Sequence, residues 1–246
     1  MKKEMRVIIR FIKGKSIYIC LLLSMFFCFI YFLKNREKFN KKTISLLLLA
    51  VIHTFAFMIS CKIMYYIEYA IGHSLLKIPE IKFESGFSFF GNIYIMPIFY
   101  ILIALIFRQK IGAMINFGVP AILISSFFAR LNCVITGCCL GKYILGTSFR
   151  VPTRLIELLC YIGIFILLLY LNKKEKLKSA MALPIYYLIY GTVRLIEEPL
   201  RYNYALDTIH FGTIHSIIAI CLGIIIYLLI RKRNNDNIVT KDTINI

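Results

Sequence analysis

Arginine and glutamate side chains recur inside stretches of this chain that are otherwise apolar. An ionised side chain within a bilayer costs roughly 2.5–3.5 kcal/mol on insertion scales, so such residues normally face a cavity or a charged partner. A guanidinium fork matches two phosphate oxygens and keeps its charge in a partly dry site. The pattern therefore predicts a site for an anionic phospholipid headgroup. The residues concerned are Arg130, Arg154, Glu157, Arg194, Glu197, Glu198 and Arg201.

A purely structural interpretation of these charges is also open. Basic side chains near helix ends extend to the headgroup region, and arginine–glutamate pairs fix helix packing. Glu198 follows Arg194 by four residues, so the two share one helix face and can pair. For a single residue neither interpretation is preferred. The grouping of charges from different segments at one depth favours phosphate binding.

Three of the eight cysteines form a cluster, Cys133, Cys138 and Cys139. A disulfide from Cys133 to either of the others would persist on an oxidising outer face. Alternatively, the three are small fillers beside Arg130. Metal binding is the least favoured interpretation, because no fourth ligand accompanies them at zinc spacing. We expect a local structural or redox role, with no metal and no cofactor.

Membrane-spanning helices must position these residues. Hydrophobic residues make up 60% of the chain, whereas soluble domains are ~45–50% apolar. A helix needs ~20 apolar residues to cross a bilayer, and backbone at that depth must satisfy its own hydrogen bonds. The predicted fold class is all-α, a polytopic membrane protein with about seven transmembrane helices. The predicted spans are Ser16–Leu33, Thr43–Ser60, Phe87–Phe107, Ile111–Ile135, Pro152–Leu171, Ala180–Ile196 and His210–Ile230.

The distribution of charge indicates how the helices are oriented. The formal charge of +18 does not indicate nucleic-acid binding, because Lys and Arg lie mostly in short tracts between apolar segments. In a seven-span arrangement the tracts at 34–42, 108–110 and 173–178 share one side with the C-terminal tail. The positive-inside rule makes that side cytoplasmic. The basic N-terminus disagrees, since the same arrangement places it outside.

The chain is predicted to be a single membrane domain, 1–246. Its transmembrane core covers 16–230, and the polar tail over 234–246 is expected to be a disordered cytoplasmic segment.

One charged segment carries the clearest resemblance to a known family. The segment Tyr190–Arg201 is similar to Tyr-Gly-x-x-Arg-Phe-x-x-Glu-x-x-Arg, a motif of the prolipoprotein diacylglyceryl transferases of bacterial membranes. The chain matches this motif at Tyr190, Arg194, Glu198 and Arg201.

Three further segments resemble the same family in the same order. The segment 129–142 is similar to Gly-Arg-x-Gly-Asn-Phe-x-Asn-x-Glu-x-x-Gly-Arg and keeps Arg130 and Gly141. The segment 152–157 resembles Pro-Thr-Gln-Leu-Tyr-Glu, and the segment 86–92 resembles Gly-x-Ser-Phe-His-Gly-Gly. Four motifs in order indicate membership more strongly than any one of them.

Three of the departures from the family's motifs bear on the chemistry. Phe90 stands where the family has histidine, Cys133 where it has asparagine, and Cys138 where it has glutamate. Variant members of the family read Arg-x-x-Cys-x-x-x-Gly-Cys-Cys-x-Gly, and this chain is closer to them.

The resemblance implies transfer of a diacylglyceryl group from phosphatidylglycerol to the lipobox cysteine of a prolipoprotein signal peptide. The protein would act in the bacterial cell membrane, with its C-terminus in the cytoplasm. A thiolate must attack the glyceryl carbon, and charge on the departing glycerol phosphate must be stabilised. The implied partners are therefore phosphatidylglycerol, the prolipoprotein and the bilayer, with no nucleic acid.

The residues are assigned roles accordingly. Arg130 and Arg194 are expected to clamp the phosphate, Glu198 to hold Arg194, and Tyr190 to bond the headgroup. Gly141 would let the backbone approach the lipid. Further substrate-binding or supporting residues are Arg154, Glu157 and Arg201.

The base that deprotonates the thiol stays open, because Phe90 has no proton acceptor. His53, His210 and His215 are the candidate imidazoles; alternatively, the arginines lower the thiol pKa without a base. A divergent enzyme with another acceptor, or a non-catalytic lipid-binding or transport protein, is the alternative function. A channel is disfavoured, because the charges lie in one layer.

Overall fold

Seven α-helices form the part of the chain that the structure describes, which confirms the all-α prediction. The computed structural model describes residues 2–36, 43–72, 86–144, 147–202 and 210–244. The helices are α1 (Lys2–Lys34), α2 (Thr43–Gly72), α3 (Phe90–Ile106), α4 (Ile111–Thr136), α5 (Thr153–Lys173), α6 (Ala182–Glu197) and α7 (Phe211–Ile244).

Each predicted span corresponds to one helix, but the helices differ in length. Five of them, α1, α2, α4, α5 and α7, are long and apolar enough to cross a membrane. Helices α3 and α6 have 17 and 16 residues. At ~1.5 Å per residue they extend about 26 and 24 Å, slightly less than the ~30 Å hydrocarbon core. The protein is a polytopic helical membrane protein.

Three helix ends differ from the prediction. Helix α1 begins at Lys2 and not near Ser16, and α2 extends to Gly72 across a stretch predicted to be a loop. Helix α7 continues to Ile244, so residues 234–244 are helical where a disordered tail was predicted. Polar residues end the apolar pattern at these points without ending the helix, because a helix satisfies its backbone hydrogen bonds internally.

Helix α4 lies at the centre of the bundle. Of its membrane-spanning stretch 67% is buried, against 17% for α7. Buried hydrogen bonds join it to α1 and α2: Ser24 Oγ lies 2.8 Å from Ser125 Oγ, and His53 Nε2 lies 2.9 Å from the same oxygen. The Tyr31 hydroxyl donates to the Phe117 carbonyl at 3.1 Å. Such bonds matter between membrane helices, because lipid supplies no hydrophobic drive for their association.

The loop between α4 and α5 is fastened to the end of α6. Gly137 ends α4 in the left-handed conformation, with φ 83°, and Cys139 is also left-handed, with φ 55°. The backbone N–H of Lys142 donates to the Leu200 carbonyl at 2.8 Å. The loop is therefore held beside the charged end of α6.

Candidate functional site

Three arginines meet on one carboxylate. Glu157 of α5 pairs through Oε2 with Arg130 of α4, and through Oε1 with Arg194 of α6 and Arg201 beyond α6. Glu157 is 1% exposed, Arg130 2% and Arg194 5%. An isolated charge at such burial would cost several kcal/mol, so these residues depend on one another for their ionised states.

Two further carboxylates complete the group. Glu198 Oε2 lies 2.7 Å from Arg194 Nη2, so the pair expected from the helical spacing is present. Glu197 Oε1 lies 3.7 Å from Arg194 Nη1 and 3.5 Å from Arg201 Nε. Three positive and three negative side chains are thus enclosed together. The arginine–glutamate cluster consists of Arg130, Glu157, Arg194, Glu197, Glu198 and Arg201.

Two N–H groups of the arginine–glutamate cluster are available to donate hydrogen bonds to a ligand. The Nε atoms of Arg130 and Arg194 are buried and have no hydrogen-bond partner in the described part of the chain. Aromatic rings cover both guanidinium groups: Phe89 lies 4.6 Å from Arg130 and Phe90 5.6 Å from Arg194, measured to the ring centroids. Buried donors without partners are costly, and an anion with oxygen acceptors would satisfy them.

A cavity of about 350 Å³ adjoins the cluster. Arg130, Arg194, Arg201 and Tyr190 line one part of it. A cavity with a charged end and an apolar remainder fits a molecule with a polar headgroup and a hydrocarbon chain. The apolar part of the wall includes Ile17, Leu21, Phe57 and Met58 of α1 and α2.

Three residues predicted to bind or support substrate, Gly141, Arg154 and Glu157, are not among the described residues that line this cavity. Arg154 Nη1 instead donates to the carbonyls of Cys133, at 3.1 Å, and Val134, at 3.4 Å, and so caps the C-terminus of α4. Gly141 packs against Val151, whose carbonyl a Cβ atom at residue 141 would overlap. Arg154 and Gly141 shape the loop that carries the cysteines.

The three clustered cysteines line the same cavity. Cys133, Cys138 and Cys139 are free thiols, without either of the disulfides considered above, and their Sγ atoms lie within 4.8 Å of one another. Hydrogen bonds from Cys133 and Cys138 lower the pKa of the Cys139 thiol, and the charges of Arg130 and Arg201 act in the same direction against the effect of burial.

A histidine lies behind the phenylalanine that replaces the family's histidine. The ring of His215 stacks on Phe90 with centroids 4.4 Å apart. Its Nδ1 lies 3.0 Å from the Tyr94 hydroxyl, and its Nε2 lies 3.2 Å from Glu68 Oε1. Ser88 Oγ donates to the same Glu68 oxygen at 2.6 Å. Glu68 and Ser88 both line the cavity, so this group can exchange a proton with it.

The other candidate imidazoles are placed differently. His53 is fully buried between Ser125 and the Tyr100 hydroxyl, 2.8 Å away, and serves helix packing. His210 directly precedes α7. Sequence reasoning missed Glu68, because the apolar pattern of α2 had been taken to end before it. The sequence feature that could have revealed Glu68 is an acidic residue within a stretch that still has helical character.

Comparison with known proteins agrees with these observations. The family model for prolipoprotein diacylglyceryl transferase matches residues 12–229. A phosphatidylglycerol–prolipoprotein diacylglyceryl transferase of Clostridium tetani (strain Massachusetts / E88) is 28% identical over 182 residues, which cover 65% of this chain and 71% of that protein. The chain belongs to the prolipoprotein diacylglyceryl transferase family.

Proposed function

We propose that this protein transfers the diacylglyceryl group of phosphatidylglycerol to the cysteine thiol of a prolipoprotein. The observation that carries the proposal is the convergence of Arg130, Arg194 and Arg201 on a cavity whose remaining wall is apolar. Family membership and the name of the relative support the same donor and acceptor.

The phosphate of phosphatidylglycerol would accept hydrogen bonds from the Nε–H groups of Arg130 and Arg194. Glu157 and Glu198 hold the two guanidinium groups in place before the lipid arrives. Such preorganised donors stabilise charge that develops during a reaction without reorganising at that moment. The Tyr190 hydroxyl would add a neutral hydrogen bond to the headgroup.

The reaction is a displacement at carbon. The thiol loses its proton, the sulfur forms a bond to the terminal glyceryl carbon of the diacylglycerol moiety, and the carbon–oxygen bond to phosphate breaks. The oxygen keeps the electron pair, so the leaving glycerol phosphate gains one negative charge. That charge develops beside Arg130 and Arg194, which is where the arginines are needed most.

The proton acceptor would be His215, acting through Glu68. The imidazole occupies the space behind Phe90, and Glu68 connects it to the cavity. A base in this place would compensate for the missing family histidine. Glu68 and Tyr94 contact the two ring nitrogens and would fix the ring orientation.

The protein would work in the bacterial cell membrane with its C-terminus in the cytoplasm. The basic tracts at 34–42, 108–110 and 173–178 support this orientation through the positive-inside rule. The cluster then lies toward the outer leaflet, on the side where a lipoprotein precursor emerges.

The test is a product assay on the purified full chain in nanodiscs that contain phosphatidylglycerol. A lipobox peptide is supplied, and mass spectrometry looks for the diacylglyceryl thioether.

Arg130→Lys and Arg194→Lys should each slow product formation by ~10²–10³-fold, as loss of one hydrogen-bond donor to the transition state does in other enzymes. The double variant should abolish product formation. Arg150→Lys is the matched control, since Arg150 lies in the loop and binds the Tyr143 hydroxyl. No thioether from the unaltered protein, under conditions where a standard family member forms it, would contradict the proposal.

Another acceptor is the second candidate, favoured by Phe90, Cys133 and Cys138 at positions where the family has other residues. Consumption of phosphatidylglycerol without modification of the peptide would identify this case. Lipid binding that weakens in the arginine variants, with no lipid consumed, would instead identify a non-catalytic lipid-binding protein.

A further inference from the structure

The backbone around the cysteines is bent so that the three thiols converge. Cys133 lies in the last turn of α4, and Gly137 reverses the chain after it. Cys139 adopts φ 55°, which residues with a side chain rarely do. Strain of this kind persists only where the surroundings enforce it, and it concentrates at functional sites. Here Thr153 Oγ1 donates to the Cys139 carbonyl at 3.2 Å and holds the bend.

The alternatives considered from the sequence explain this geometry less well. Small packing residues would be buried, whereas Cys138 and Cys139 are both exposed. A disulfide would use two of the three thiols and leave the third without a role. Three thiols, one from the end of α4 and two from the loop after it, line one cavity, an arrangement that suits the binding of a metal ion.

The distances fit a thiophilic ion. Zinc–sulfur bonds of ~2.3 Å place the sulfurs of a tetrahedral site about 3.8 Å apart. The Sγ atoms of Cys133, Cys138 and Cys139 lie within 4.8 Å of one another, so small side-chain rotations would close the site. Among the residues that the structure describes, no fourth protein ligand joins these three. Structural zinc sites use four protein ligands, whereas catalytic sites use three and keep one position open.

The charge of the surrounding residues also favours a zinc–thiolate complex. Zinc with three thiolates carries a net charge of −1, and a fourth thiolate makes it −2. Arg130 and Arg201 line the same cavity as the three cysteines. They would stabilise the anionic complex through the attraction of opposite charges.

We propose that Cys133, Cys138 and Cys139 bind one zinc ion, and that its open position takes the acceptor thiol. This inference rests on the proposed function, which needs a thiolate as the nucleophile. Zinc would favour the thiolate form of the bound thiol, and the Glu68–His215 pair would accept the proton that this thiol releases. The zinc-bound sulfur would then form a bond to the glyceryl carbon while the carbon–oxygen bond to phosphate breaks. The leaving glycerol phosphate keeps that electron pair beside the arginines that line the same cavity. Zinc stays divalent throughout, so the step requires no oxidant or reductant.

The metal site is tested with cobalt(II), a spectroscopic substitute for zinc, on the reduced full chain in detergent. One equivalent should produce a thiolate-to-cobalt charge-transfer band and the intense visible bands of tetrahedral cobalt, and zinc should remove both. Cys138→Ser and Cys139→Ser should weaken zinc binding more than about 100-fold, since loss of outer partners alone costs ~10–100-fold. Cys221→Ser is the matched control, because Cys221 is an exposed thiol on α7.

A spectrum without thiolate bands, or a zinc affinity equal in the unaltered protein and the Cys139→Ser variant, would overturn the metal site. Titration that finds only six of the eight thiols in the protein isolated without reductant, with no zinc bound, would establish a disulfide and also overturn it.

The open position is tested by adding the acceptor peptide without any lipid. A lipobox peptide should shift the cobalt bands, whereas the same peptide with serine in place of cysteine should not. Equal spectra with both peptides would refute thiol binding. Because neither measurement needs turnover, a failure of the proposed transferase activity would leave the cobalt result standing, and the two can be distinguished.

Discussion

Glu157 compensates three guanidinium groups at once, which makes it the most sensitive residue of the arginine–glutamate cluster. Glu157→Gln keeps the side-chain volume and removes the charge, leaving Arg130, Arg194 and Arg201 with surplus positive charge in a buried site. Breaking a buried ion pair costs ~3–5 kcal/mol. We expect a clear fall in melting temperature, followed by circular dichroism in detergent, and loss of product formation.

The control for this substitution is Glu175→Gln, which changes the same functional group in an exposed loop. It should melt as the unaltered protein does. Equal melting of the two variants would mean that the arginines find other partners and that Glu157 does not organise the cluster.

His215 is predicted to accept the proton of the acceptor thiol and not to bind the lipid. His215→Gln should lower the rate of thioether formation by ~10²–10⁴-fold, the usual contribution of a general base, with unchanged binding of phosphatidylglycerol. The free thiol has a pKa of ~8.5. Without a base the residual rate should therefore rise about tenfold per pH unit below that value, so alkaline buffer partly restores activity.

The comparison is with His210→Gln, which removes an imidazole that precedes the same helix. Its rate and pH profile should equal those of the unaltered protein. A His215→Gln variant with a normal rate, or one whose rate does not rise with pH, would exclude His215 as the base.

At the residue scale, the sequence reveals the charged residues, but it does not reveal all of the residues that they contact. An ionised residue inside a span must face a partner or a cavity, so a meeting of Arg130 and Arg194 could be expected. The contact between Glu68 and His215 could not, because it joins distant helices through tertiary packing alone. The exclusion of Arg154 from the cavity wall depends equally on where the α4 carbonyls end.

At the scale of elements, the loop after α4 owes its course to Gly137. No atom lies within 4 Å of the position that a Cβ atom would take there, so an alanine would meet no clash. It would still have to adopt φ 83°, which costs an L-residue ~1–2 kcal/mol. We expect Gly137→Ala to lower stability by about that amount and to weaken zinc binding, because Cys138 and Cys139 follow directly.

Gly163 provides an internal comparison. It also has open space around its Cβ position, but it lies within helix α5. Alanine is a better helix former than glycine by ~1 kcal/mol, so Gly163→Ala should leave stability unchanged or raise it. If both variants behaved alike in thermal unfolding and cobalt binding, the conformation of residue 137 would not be what positions the thiols.

The helices themselves could be predicted because bilayer thickness fixes the length of an apolar span. Their ends could not, since α2 and α7 continue into polar sequence where hydropathy gives no signal. The left-handed Cys139 was equally invisible, because only Gly137 carries the sequence mark of a turn.

At the scale of the whole molecule, the bundle has an inner and an outer part. Helices α5 and α7 are only 22% and 17% buried over their membrane-spanning stretches, so most of their apolar surface faces lipid. The two short helices, α3 and α6, both end at the site: Phe90 begins α3 and Glu197 ends α6. Both short helices therefore contribute a terminus to the site.

The predicted orientation rests on the loop charges and is the property of the whole chain that is easiest to test. A fluorescent protein that folds only in the cytoplasm should fluoresce when it is fused after Ile246. Alkaline phosphatase, which is active only outside the cytoplasm, should be active when it is inserted at Thr147 between α4 and α5.

The side of the membrane on which the N-terminus lies decides the number of crossings, because seven crossings place it outside despite the six Lys and Arg residues up to Lys15. An N-terminal phosphatase that is inactive, together with a fluorescent C-terminus, would establish an even number of crossings. One of the short helices would then fail to span the bilayer, and the arginine–glutamate cluster would have to be reassigned to a leaflet.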